Sequence, residues 1–274
     1  MTESRFWNSS RGLNRRQLVR TLKSPALLLP PLLFPLLLFA AFAAGLSGLG
    51  NIPDFGYPDY TTFQFIWVLM VGVAISGMSA GLALAGDFDS KFDRRMLLSS
   101  ADRTPILVGY TLSGLIRAII TAVLLFAVGL AAGVKVEGSV LEIAGMIALI
   151  LLFCLGVTLW SVGLALRLRS MKAAPLMQTP VLMAMFALPV YTPRPLLAGW
   201  VQTIADINPL TPIIEAARGL IIGDPVRVPL AFGIAIALVV LFAAFAFTGL
   251  SSLDRQPRAR RARRSRQSDA AKAS

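Results

Sequence analysis

The 274-residue sequence is 56% hydrophobic and only 15% charged, with a mean hydropathy of +0.71. A soluble domain carries roughly 25% charged residues, and several charge-free runs here exceed the ~18 residues that mark a membrane span. The chain has no His and a single Cys, Cys154, which excludes Cys/His nucleophile pairs, His general bases, zinc clusters and an internal disulfide.

Residues 1–23 form a basic segment ahead of the first apolar run. Within 11–23, Leu18, Val19 and Leu22 alternate with Arg15, Arg16, Arg20 and Lys23, a pattern that predicts a helix lying along a charged membrane surface. Asn14-Arg15-Arg16-Gln17-Leu18 also has the outline of a twin-arginine signal, but five further apolar runs follow it, so an anchor for the first span is the better reading. Span 1 falls within 24–53 and opens with Pro25, Pro30, Pro31 and Pro35, which predict a kink near its start.

Span 2 falls between Asp59 and Asp87 and is rich in small residues. Gly77 and Gly81 form a small-xxx-small pair, as do Gly129 and Gly133 at the end of span 3. Such pairs let helices approach closely, most simply within one chain and otherwise at a subunit interface. Residues 87–103 follow, with Asp87, Asp89, Lys91, Asp93, Arg94, Arg95, Asp102 and Arg103 interrupted by Met96, Leu97 and Leu98. An apolar patch inside a charged loop suits docking on another protein; the plainer reading is a solvated turn with membrane-facing leucines.

Span 3 covers about 104–134 and contains Arg117, which either snorkels to the cytoplasmic face or serves the translocation path. Span 4 lies between Glu142 and Arg167, span 5 between Lys172 and Arg194, and span 6 between Arg227 and Asp254. Residues 191–224 are too charged for lipid exposure and too apolar for a polar loop. They predict short broken helices at the outer leaflet, buried in protein or lining a cavity, in which Asn208, Pro209, Glu215 and Arg218 are gate candidates and Glu215 can pair with Arg218 one turn on. The tail, 254–274, is strongly basic without apolar periodicity; it is expected to be disordered and to hug anionic lipid, with no nucleic-acid partner.

The expected fold is therefore an all-α integral membrane protein with six transmembrane helices (24–253), an N-terminal interfacial helix and re-entrant helices before the last span. The formal charge of +12 is concentrated in the N-terminal segment, the loops after spans 2 and 4, and the tail. Only Lys135, Arg194, Arg218 and Arg227 fall on the other side. By the positive-inside rule both termini are cytoplasmic.

No lysine follows a glycine, so the phosphate-binding loop G-x-x-x-x-G-K-[ST] is absent from this sequence. Three stretches resemble the ABC-2 family of ABC transporter permeases, in particular its daunorubicin-resistance-type exporters. They are residues 18–25 leading through Pro35 to Phe39; Phe92-Asp93-Arg94-Arg95-Met96-Leu97-Leu98 through Arg103 to Gly109; and Asn208-Pro209-Leu210-Thr211-Pro212-Ile213-Ile214-Glu215-Ala216-Ala217-Arg218-Gly219-Leu220 with Gly223 beyond. The third is the most specific. One departure is Ser100, where the family often has Pro.

The resemblance implies a non-enzymatic transport subunit in the bacterial cytoplasmic membrane. It would bind no cofactor itself, and ATP would be used by a separate ABC ATPase subunit contacting the 87–103 loop. A second permease chain, identical or a sister, would complete the assembly, and the cargo would be a lipophilic drug, lipid or glycolipid. The principal rival is an ion-coupled secondary transporter, which needs Asp or Glu inside the spans; the six windows hold none. A membrane-embedded enzyme and a purely structural subunit find less support still.

Overall fold

The computed structural model describes residues 11–12, 14–17, 19, 25–53, 55–90 and 104–272, the side chains of 25–28 and 252–272 excepted. Helix is the regular structure throughout the described residues, as the solvent requires: inside lipid only a helix satisfies its main-chain polar groups by itself. The helices are α1 (Pro25–Gly45), α2 (Tyr60–Asp89), α3 (Thr104–Ala131), α4 (Val140–Leu168), α5 (Ala174–Phe186), α6 (Gly199–Ile207), α7 (Thr211–Ile222) and α8 (Val228–Lys272).

Four of these are long and apolar enough to cross a bilayer: α2, α3, α4 and α8 over Val228–Ser251. They do not share the interior equally. In α2 78% of the apolar window is buried, against 17% in α8, so α2 is the central post and α8 a peripheral one. α2 packs on α1, α3 and α4, and α4 packs on α8. The small residues make this possible. A Cβ at Gly77 would stand 2.7 Å from Thr158 Oγ1, one at Gly81 would collide with the backbone of Ser161, and one at Gly129 would strike the Phe65 ring. The Gly77/Gly81 pair thus serves close packing of α2 on α4 within one chain. Gly133 differs from the expected pairing: at φ +90° it forms the turn after α3 and meets nothing within 4 Å.

Local sequence sets the helix ends. Asp59 caps α2 by accepting from the Thr62 amide at 2.6 Å, and Ser139 with Glu142 forms a capping box at the start of α4. Arg169 (φ 52°) and Gly223 (φ 77°) close α4 and α7 in the left-handed region.

Three expectations differ from the structure. The fifth window contains only a 13-residue helix, α5, with Pro180 inside it. At ~1.5 Å per residue this reaches about 20 Å, short of the ~30 Å apolar layer. The chain leaves helix at Ala187, just before Pro189, which a helix cannot easily absorb. The tail, expected to be disordered, is drawn as a helical continuation of α8 to Lys272. Its Ala, Arg and Gln residues are strong helix formers even without an apolar stripe. The segment expected to be an interfacial helix is helical at 14–17, but Gln17 is buried against the bundle instead of lying free on a surface.

Because Gly81 touches the backbone of Ser161, Gly81→Leu is expected to force α2 and α4 apart. The expected cost is roughly 1–3 kcal/mol of overpacking, measured as a lowered unfolding midpoint of the purified full chain in detergent.

Candidate functional site

Polar side chains gather at the two ends of the bundle and along one seam between them. At the end where α2 stops and α3 starts, Asp87 is buried in the last turn of α2, 3% exposed. Gln17 donates to it at 3.0 Å, Arg16 pairs with it at 3.3 Å, and the Tyr110 hydroxyl of α3 hydrogen-bonds to it. Gln17 also donates to the Tyr110 hydroxyl at 3.3 Å. One carboxylate therefore clamps the N-terminal segment to α2 and α3. Two residues on, Asp89 accepts from the Met171 amide at 2.8 Å and so holds the turn between α4 and α5. These contacts flank the segment expected to dock a partner, whose Lys91, Asp93, Arg94, Arg95, Asp102 and Arg103 lie outside the described residues.

The seam runs along the faces of α2, α3 and α4. Ser76 and Thr121 hydroxyls are 2.8 Å apart, and Thr158 and Ser161 bond back to carbonyls of their own helix at 2.8 and 3.0 Å. Arg117 belongs here. It stands about 20 Å along α3 from Thr104 at ~1.5 Å per residue and is 6% exposed, buried among helices instead of extended to the surface. Beside the seam, an apolar crevice of about 500 Å³ lies between α3 and α4 with Leu69 and Val73 of α2 on its floor.

At the opposite end the stop of the short helix α5 is closed by side chains from elsewhere. A helix end leaves main-chain carbonyls without partners. Here Asn208 donates to the Ala184 carbonyl at 2.7 Å and the Trp67 indole to that of Met185 at 2.9 Å. Arg218 donates to the Pro189 carbonyl at 2.8 Å and to that of Phe63 at 2.9 Å, with its guanidinium 3.6 Å above the Phe63 ring. Arg218 is 1% exposed, forms no ion pair among the described residues, and has one terminal nitrogen without an acceptor. Burial lowers its pKa to about 10, so it stays charged at neutral pH.

Glu215 does not pair with Arg218 as the helical spacing suggested. It pairs with Arg194 at 3.3 Å, and Arg194 also holds Asp206 at 2.9 Å. Burial raises the Glu215 carboxyl while Arg194, Arg227 and Arg218 pull it back. Asn208 also caps its own turn, accepting from the Leu210 amide at 3.0 Å ahead of Pro209. The Glu137 and Gly138 amides of the α3–α4 loop donate to the Ile221 carbonyl, which ties α7 to the bundle. α6 departs from the burial expected of this region. Trp200, Ile204 and Ile207 are exposed along one face, at 73%, 44% and 77%.

Sequence reasoning singled out Arg218, Glu215 and Asn208 but missed Gln17, Tyr110, Trp67 and Arg194. Their partners lie 12 to 118 residues away, a separation that no helical period displays. The acid rule for span interiors also passed over Asp87, taken as a boundary and found inside α2.

Apolar helices long enough to cross a bilayer and a short helix sealed by long-range polar contacts define a multi-pass helical membrane protein. The ABC-2 type transporter family matches residues 11–222, and the chain belongs to that family: a transport permease, not itself catalytic. No curated protein matches it.

The clamp at Asp87 makes a direct prediction. Tyr110→Phe and Asp87→Asn each remove or weaken a buried charge-assisted hydrogen bond, which costs about 1.5–3 kcal/mol. Both are expected to loosen the N-terminal segment, read as faster trypsin cleavage at Arg15 and Arg16 in the folded full chain.

Proposed function

We propose that this permease is the membrane subunit of an ATP-driven exporter. It passes six times through the bacterial cytoplasmic membrane with both termini on the cytoplasmic side. A separate nucleotide-binding subunit hydrolyses the ATP and docks on residues 87–103 and on the basic segment at 11–23. Two permease chains, identical or sisters, complete the assembly. The cargo is lipophilic, a drug, lipid or glycolipid, and drug efflux of the daunorubicin-resistance type is the subfamily reading; antibiotic resistance would follow from it.

The observation that carries this reading is the clamp around Asp87. It joins the N-terminal segment, the end of α2 and the start of α3, while Asp89 adds the α4–α5 turn. A force applied at the loop between Ser90 and Thr104 would reach four parts of the bundle at once. The six-pass topology accords with the alternation of basic loops, with the short α5 and the irregular 187–193 making the fifth passage. The apolar crevice between α3 and α4 suits a greasy cargo. Arg117, on the buried seam, and Asn208, Pro209, Glu215 and Arg218, at the opposite end, are assigned to the path and the outer gate.

Co-purification of an ATPase with the full chain is the direct test, and its absence under conditions that preserve the membrane assembly would sink the proposal. Reversing the loop charges with Arg94→Glu and Arg95→Glu is expected to reduce cargo-stimulated ATP turnover by about tenfold, a coupling free energy within the usual range. The variant should still be inserted at normal levels. Unchanged export by it would remove the docking assignment.

A further inference from the structure

At the opposite end, where Arg227 also acts on Glu215, two arginines and two carboxylates have crossed partners. Glu215 and Arg218 share α7 three residues apart, where side chains are neighbours. Yet Glu215 is held by Arg194, at 3.3 Å, and Arg218 is held by carbonyls. A buried guanidinium without a carboxylate is costly unless hydrogen bonds and other dipoles replace water. Arg218 has two carbonyls, one ring face and one donor left unused. The nearest acid on its own helix is thus engaged by a rival that is more exposed: the Arg194 side chain is 25% exposed, and its second partner Asp206 is 50% exposed. Arg194 sits on a single 3-10 turn (Arg194–Leu196) in a loop with few anchors.

The geometry points to an exchange latch. While Arg194 holds Glu215, Arg218 stays on the Phe63 and Pro189 carbonyls and locks the broken fifth crossing against α2. When Arg194 leaves, Glu215 turns to Arg218, satisfies its spare donor and draws it off Pro189, and the break between Phe186 and Pro189 opens. Charge is conserved in the exchange: one more deeply buried ion pair replaces one partly exposed pair, while Arg194 keeps Asp206. The latch does not depend on what drives transport, so it goes beyond the exporter reading, and its test uses neither ATP nor cargo.

The reporter is a cysteine at the break. Leu188 is 3% exposed, so Leu188→Cys in a Cys154→Ser background reports opening by its rate of maleimide labelling. The full chain is used in proteoliposomes with reagent on both faces. Arg194→Gln is expected to raise the rate about tenfold, the scale of a local opening made easier. Glu215→Gln alone, and Arg194→Gln with Glu215→Gln, should label at the parental rate, because an amide cannot neutralise Arg218. Arg194→Lys keeps a cation near Glu215 and should also be parental. Should Arg194→Gln remain at the parental rate, there is no latch. Should any variant lacking the Glu215 carboxylate label as fast as Arg194→Gln, the opening reflects lost packing and the exchange is refuted. Val190→Cys, at a site 0% exposed, repeats the measurement should Leu188→Cys fail to fold.

Discussion

A helix that stops where the bundle buries its last turn leaves carbonyls without water to bond them, and the architecture of this protein is organised around that constraint. α5 ends at Phe186, and the carbonyls of Ala184 and Met185 in its last turn and of Pro189 just beyond it are taken up by Asn208, Trp67 and Arg218 respectively. Each unsatisfied group in hydrocarbon would cost several kcal/mol. The three donors come from the α6–α7 turn, from α2 and from α7. The early end of α5 therefore fixes where three other segments must sit. The Asn-Pro turn at Asn208 and Pro209 has the same logic in miniature: its amide side chain caps the local turn through one atom and a distant helix end through another.

α2 supplies the wall against which this closure is built. Its unbroken buried run is possible because small residues face α4, so backbones touch where side chains would hold them apart. In lipid such contact is a main source of helix association, since apolar side chains gain little by leaving one apolar medium for another. The buried hydroxyls of Ser76, Thr121, Thr158 and Ser161 fit the same setting. They satisfy each other or their own helix and do not need water.

The sequence was most informative where charge spacing alone decides the outcome. Six spans were expected from the charge-free windows and four helices are long and apolar enough to cross; the small-residue contacts of α2 and the unusual character of residues 191–224 are also visible in the order of residues. The extent of the fifth helix was not, because apolar content cannot tell a full crossing from a half crossing followed by Leu188-Pro189-Val190. The partner of Glu215 was not visible either. Helical spacing offers Arg218, but burial favours giving Arg218 to main-chain carbonyls and leaving Glu215 for the more exposed Arg194. Likewise, Asp87 looks like the end of a span when read as a charge. It proves to be inside one once Gln17 and Tyr110 are seen to solvate it.

The two polar clusters are joined by one rod. Phe63, whose carbonyl and ring hold Arg218, and Asp87, whose carboxylate holds Gln17 and Tyr110, lie on the same helix, 24 residues and about 36 Å apart at ~1.5 Å per residue. Between them α2 is continuous and buried, with no proline among its residues. A packed helix of this kind transmits tilt or translation with little internal give, which is the physical requirement for coupling two sites through a shared element. In the proposed export cycle, a displacement imposed where α2 meets the docking loop would arrive at Phe63 as a shift against Arg218. The carbonyl at Phe63 stays bonded within its own helix, so it moves with α2, whereas the Pro189 carbonyl belongs to the unwound break and does not. One guanidinium bridging a rigid element and a yielding one is strained by any relative motion of the two. In the proposed cycle, Arg218 is therefore the point at which movement of the rod would become opening of the break.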